Sequence, residues 1–112
     1  MSDPRTQVFA ALADPTRWRL LETLAGRGRG TATTLAAEMP VSRPAVIKHL
    51  AVLGRAGLVE RRRVGREVIF VIRTEPLQET ASWMAGLASD WDTRLAALKR
   101  LAERREEKPN AA

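Results

Sequence analysis

A mainly α-helical domain carrying one small β-hairpin is what this sequence predicts, and three observations predict it. Asp3-Pro4, Asp14-Pro15 and Thr74-Glu75-Pro76 each set a proline at the start of a helix behind a residue that can cap it. Apolar residues then recur at three- and four-residue spacing through most of the chain. One stretch departs from that spacing: LVERRRV, then Gly65, then REVIFVIR, in which Val68, Phe70 and Ile72 alternate with Ile69, Val71 and Arg73. A chain of 112 residues has room for one modest core and not two. One domain over residues 1–106 is therefore expected, with EKPNAA at 107–112, which has nothing to bury, as a disordered tail.

In chain order, the first helix carries Val8, Phe9 and Leu12 on one face, and the second carries Trp18, Leu21 and Leu24 with Leu20 beside them. GRGRG at 26–30 ends the second helix and is expected to be a flexible turn. TATTLAAEM, from Thr31, offers threonine caps and a short helix that buries Ala32, Leu35, Ala36 and Met39 before Pro40 stops it. VSRPAVIKHL follows: Ser42 is a good N-cap, and Pro44 sits in the first turn, where a missing N–H costs nothing. Val46, Leu50 and Leu53 form its buried stripe, while Pro44, Ala45, Lys48, Ala51 and Arg55 face the other way. The hairpin turns near Val64-Gly65-Arg66. From Thr74 a long helical pattern runs to about Arg105, with Met84, Leu87, Trp91, Leu95, Leu98 and Leu101 in one apolar stripe flanked by Trp83; Gly86 and Ser89-Asp90 are points where it could break.

Nineteen basic against thirteen acidic residues give a net charge of +6. Residues 42–73 hold eight of the bases and two of the acids, so the whole net charge lies on that third and the remainder is neutral. Such a footprint is expected where one part of a chain faces a polyanion. The absence of cysteine removes disulfides, thiolate metal sites and thiol nucleophiles, and a single histidine leaves only carboxylates to build a metal site. No metal and no cofactor are expected. Enzyme signatures are missing too: GRGRG lacks the flanking strand and Lys-Ser/Thr ending of a phosphate loop, there is no His-Glu-x-x-His pair, and no catalytic triad is favoured. Apolar runs are too short to cross a bilayer, and MSDPRTQVFAALADP does not read as a secretory signal, so a soluble cytoplasmic protein that does not engage membranes is expected.

Two short helices joined by a turn, the second with basic residues outward and a basic hairpin after it, make a winged helix-turn-helix pattern. Taken alone, Arg43, Lys48 and His49 fit a solvated surface nearly as well as a reading face. The arginine hairpin beside them favours double-stranded DNA. Arg43 and Lys48 can donate to guanine or to phosphate, Ala45 can lie against a thymine methyl, and Ser42 can donate to a phosphate at the helix N-terminus. His49 stays open between a DNA donor and a structural bond to the preceding turn. Arg61, Arg62, Arg63 and Arg66 exceed what solubility of an edge hairpin needs and suit phosphate or minor-groove contact. The terminal apolar stripe suggests a homodimer seam through Met84, Leu87, Trp91, Leu95 and Leu98, with Phe9 of the first helix, and a dimer would set two reading helices roughly 34 Å apart.

The blocks FAALADPTRWRLLETLA at 9–25 and TLAAEMPVSRPAVIKHLAVLGRAGLVERRRVGREVIFVI at 34–72, with the tryptophan-bearing tail helix, resemble the ArsR family of bacterial winged-helix repressors over nearly the whole chain. The resemblance implies a homodimer joined by terminal helices that represses a promoter until a small-molecule inducer releases it. Metal-sensing members carry a cysteine motif on the helix that here reads TLAAEM, or a His/Asp set on the terminal helix. This chain has neither and resembles the metal-independent subgroup with tryptophans near an aspartate, as in SWMAGLASDWDTRL. Ile47 stands where the family usually has serine or another small polar residue. It can read a thymine methyl there or turn into the core. The expected function is a sequence-specific regulator, an (auto)repressor reading an inverted repeat in its operator. The competing expectation is a winged-helix small-molecule-sensing or protein-interaction module without specific DNA readout; a nucleoid-type or single-strand binder is a third.

Overall fold

The computed structural model describes residues 3–107. Its elements run α1 (Pro4–Ala11), α2 (Pro15–Arg27), β1 (Arg29–Gly30), α3 (Ala32–Ala36), α4 (Arg43–Arg55), β2 (Val59–Val64), β3 (Glu67–Ile72) and α5 (Glu75–Glu107). They fall into two compact units that meet between Thr80 and Ala81, within α5. The expected disordered tail lies outside the described residues except for Glu107, on which α5 ends.

The capping signals act as chemistry requires. The Asp3 carboxylate accepts the Arg5 N–H at 2.9 Å and that of Asp14 accepts the Thr16 N–H at 2.7 Å, each removing one orphan donor from a helix start. Thr31 and Thr34 exchange side chain and backbone in a capping box at 2.9 and 3.1 Å, which lets a helix as short as α3 form. The Arg17 guanidinium closes the other end of α1 by donating to the Ala10 and Ala11 carbonyls. These contacts lock α1 and α2 into one corner.

The core of the first unit gathers Val8 and Ala11 of α1, Leu20, Leu21 and Leu24 of α2, Leu35 and Met39, Val46, Leu50 and Leu53 of α4, and Leu58 and Val59. Phe70, Ile72 and Leu77 pack against it from the hairpin and the first turn of α5. Trp18 departs from expectation. It lies half exposed, and its indole N–H donates to the Leu12 carbonyl. Leu20, Leu21 and Leu24 already fill the core side of α2, and Trp18 points about 110° away from their mean direction at 100° per residue.

The hairpin closes through Gly65-Arg66, pairing Val64 with Glu67, and Gly65 takes φ +61° while among the described residues no other residue type has positive φ. Glycine at the first turn position with an ordinary second residue is the requirement of the II′ turn, whose twist matches the strands it joins. GRGRG is not a flexible turn throughout. Arg29 and Gly30 form a third strand against β3, opposite Val71 and Phe70, so the sheet runs β1-β3-β2. Two residues are too few to show an alternating pattern. Nor does α5 break at Gly86 or Ser89-Asp90; it is one helix of 33 residues.

Glycines 26 and 30 separate sharply by environment. A Cβ on Gly30 would lie 3.0 Å from Cγ and Cδ2 of the fully buried Leu35, whereas one on Gly26 in α2 would meet nothing within 4 Å. In urea unfolding, Gly30→Ala is expected to lose about 1–3 kcal/mol by overpacking. Gly26→Ala is expected to gain about 0.5–1 kcal/mol from helix propensity.

Candidate nucleic-acid interface

Helix α4 is divided into sectors by what it packs against. Its Val46, Leu50 and Leu53 are buried to 1% exposure or less. On one side of that stripe lie Ala45, His49 and Val52, half-buried, with Val52 beside Gln7, Ala10 and Ala11 of α1. His49 stands near enough to the Asp14 cap to help lower that carboxyl, although the main cause there is the hydrogen bond from the Thr16 N–H. Opposite the stripe, Pro44, Lys48, Ala51 and Arg55 are exposed. Ser42, the N-cap, accepts the Ala45 N–H at 3.3 Å and keeps its own hydroxyl hydrogen for an external acceptor.

The remaining side of α4 faces the hairpin across a groove of about 590 Å³. Arg43, Ile47, Ala51, Gly54 and Arg55 line one wall, and Val59, Arg61, Val68 and Phe70 line the other. Ile47 is 43% exposed in this groove and does not turn into the core.

Strand alternation splits the hairpin arginines. Arg61 and Arg63 sit opposite Phe70 and Val68, on the face that looks toward α4. Arg62 shares the other face with Glu60 and binds it at 3.2 Å, and Arg73 reaches the same carboxylate at 2.6 Å and Glu75 at 3.4 Å. The Arg62 and Arg73 hydrogen bonds, in that order, hold the Glu60 carboxyl below its ordinary value. Among the described residues no ion pair engages Arg43, Lys48, Arg55, Arg61, Arg63 or Arg66. Arg55 did not stand out as a site residue in the sequence. Its eight-residue offset from Ile47, about 80° around the helix, was the available signal.

In the second unit Met84, Leu87, Trp91, Leu95, Leu98 and Leu101 are each 45–60% exposed along α5, and Arg94 lies over the Trp91 ring at 5.7 Å. Phe9 of α1 is also partly exposed. No group of three His, Cys, Asp or Glu side chains suited to a metal ion occurs among the described residues, and no described helix is long and apolar enough to cross a membrane.

Comparison with known proteins bears on this arrangement directly. A helix-turn-helix domain family matches residues 12–62, from the end of α1 into β2. The chain is 33% identical over 88 residues to the transcriptional repressor SdpR of Bacillus subtilis, covering 79% of this chain and 97% of that one. It superposes on an ArsR-like transcriptional regulator from Rhodococcus sp. RHA1 with a TM-score of 0.80 and 44% identity, over 88% of this chain and 92% of the other. The chain belongs to the ArsR family of winged helix-turn-helix transcriptional regulators. Within that family α3 and α4 are the helix-turn-helix and β2–β3 the wing of a DNA-binding regulator. A further solved relative, the homodimeric winged helix-turn-helix DNA-binding domain of a possible ArsR-family regulator from Mycobacterium bovis, is 26% identical and superposes with a TM-score of 0.63 over 79% of this chain and 80% of that one.

The Glu60 cluster has a pH signature. A carboxyl whose folded-state value is depressed adds stability above its unfolded value and loses it as pH falls through the folded one. Carbon-detected NMR titration is expected to place the Glu60 carboxyl below 4.5 and to show Arg62→Ala moving it upward. An unshifted Glu60 would mean that Arg62 is as free as its neighbours.

Proposed function

We propose that this ArsR-family regulator is a homodimeric repressor that reads a short inverted repeat, laying α4 in the major groove and its wing along the flanking backbone, with no catalytic step of its own. The observation that carries the proposal is the distribution of unpaired cations. Arg43, Lys48, Arg55, Arg61, Arg63 and Arg66 stand on α4 and the wing with no carboxylate partner among the described residues, and Arg43 and Arg61 share one groove. The other two bases of this third, Arg62 and Arg73, are paired with Glu60, and Arg73 with Glu75 as well.

Roles follow from position. Arg43 and Lys48 suit base edges or phosphates near the N-terminal half of α4, and Ser42 suits a phosphate beside them. Ala45 and Ile47 offer methyl groups to thymine. His49, half-buried on its flank of α4, is assigned a minor, orienting part. Arg61, Arg63 and Arg66 are assigned to the wing's backbone contacts, and Arg62 joins them once DNA competes for it with Glu60. The exposed apolar stripe of α5, Met84 to Leu98, is assigned to the dimer seam, and Phe9 to a separate contact with the partner. The homodimeric relative from Mycobacterium bovis supports the dimer. Autoregulation and release by a small-molecule inducer complete the proposal.

Lys48→Glu and Arg63→Glu should each cost at least about 1–3 kcal/mol of operator affinity in gel-shift titrations with the gene's own upstream region. The dimer should be unchanged by sedimentation. Unaltered binding would reject the interface. Log affinity should also fall linearly with log salt, at a slope near −0.9 for each phosphate neutralised, and Glu60→Gln should steepen that slope by freeing Arg62.

Leu95→Asp with Leu98→Asp is expected to give a monomer in sedimentation equilibrium while leaving the first unit folded. A dimer that survives both changes would move the seam off this stripe.

A further inference from the structure

The groove between α4 and the wing has a composition that DNA contact alone does not call for. A phosphate backbone asks for cations and hydrogen-bond donors and gives an apolar surface little to bury against. Here Ile47, Leu50, Val59, Val68 and Phe70 supply the floor and sides, and Arg43, Arg55 and Arg61 supply the rim. No acidic residue lines it. At about 590 Å³ it falls inside the range of pockets that hold small organic ligands, which are mostly apolar with a few placed polar groups.

We infer that this groove is a binding site for a small hydrophobic carboxylate, seated with its apolar body against Phe70, Val68 and Ile47 and its anionic end at the arginine rim, and that such a ligand excludes DNA by occupying the reading face itself. The inference rests on the assignment of α4 and the wing to DNA. A planar guanidinium pairs with a carboxylate through two parallel hydrogen bonds, and a rim of three cations without internal partners has no competing anion of its own. Apolar contact then selects a carboxylate with a hydrophobic body over inorganic anions. Arg43 and Arg61 serve ligand and DNA alternately, so the two cannot be bound together and no conformational relay is needed. Arg55 is shared in the same way, whereas Gly54, with no side chain, offers DNA no contact. A Cβ on Gly54 would lie 3.9 Å from Val59, in ordinary contact, so the position tolerates a side chain at the groove wall.

The probe is naphthalene-2-carboxylate, with neutral naphthalene-2-carboxamide as control, added to the full-length nitrogen-15-labelled protein. Amide shifts are expected at residues 43–55 and 59–70 with the carboxylate, much weaker ones with the amide, and their loss in Gly54→Leu and Arg55→Gln. Shifts confined to residues 84–101, or equal response to both probes, would overturn the site. In gel shifts, carboxylate at ten times its dissociation constant should weaken wild-type operator affinity about tenfold, by the mass-action factor for exclusive binding. In Gly54→Leu the carboxylate should produce no further weakening of whatever operator affinity that variant has. Operator binding that persists unchanged with the groove filled would overturn the competition. A protein that binds operator but shows no amide shifts refutes the ligand site and leaves the DNA proposal standing; amide shifts in a protein that binds no duplex do the reverse.

Discussion

The rotation of α4 about its own axis is the constraint on which the rest of this molecule depends. Val46, Leu50 and Leu53 are buried completely, and each such side chain is worth about 1.5–3 kcal/mol relative to exposure, so the stripe holds the helix in one phase against several kcal/mol. A turn of one residue, about 100°, would bring Lys48 or Ile47 toward the core and expose a leucine. With the phase held, the other sectors have no freedom: one flank meets α1 and the Asp14 cap, the opposite flank meets the wing, and the outer sector carries Lys48 and Arg55. The corner between α1 and α2, held by Asp14 and Arg17, is therefore more than local capping. It supplies the surface against which α4 is registered.

Electrostatics sorts the basic residues a second time. Eight bases fall within residues 42–73, yet the fold spends two of them internally: Glu60 takes Arg62 and Arg73 on the hairpin face that looks away from α4. Alternation along the strand puts Arg61 and Arg63 on the other face, where no carboxylate stands opposite. Exposed ion pairs of this kind contribute little stability, since solvent screens them and ordering long side chains costs entropy. Their effect is on direction. One acid placed at Glu60 decides which guanidiniums of a continuous arginine run are available to an outside anion.

Much of this was legible in the chain because the signals are local. Caps followed by proline marked helix starts, and the 46-50-53 stripe gave the phase of α4 from spacing alone. The hairpin and its turn at Gly65 were marked by alternation and one glycine. What escaped needed partners distant in sequence. Strand β1 is two residues long and exists because β3 offers it an edge, and Gly30 is needed there because Leu35 crowds it. Trp18 carries a large apolar ring, but three leucines on the same helix had already taken the core side. Ile47 was undecided between core and surface because it lies about 100° from Val46, at the border of both. The Arg61-Arg62-Arg63 run gave no hint of which member is paired, since that depends on the register that aligns Arg61 with Phe70.

Ile47 now has a physical reason to be apolar. A small polar residue at that position would interrupt the apolar lining that Ile47 continues with Val68 and Phe70. Isoleucine extends the lining toward the rim and remains 43% exposed, so its side chain is still available to a base. The same methyl groups that could read thymine also close the groove floor. If α4 reads DNA and the groove takes a carboxylate, Ile47 couples two recognitions that share Arg43 and Arg61: a ligand in the groove would remove Ile47 from the reading face, and a base held against Ile47 would leave the groove capped by DNA.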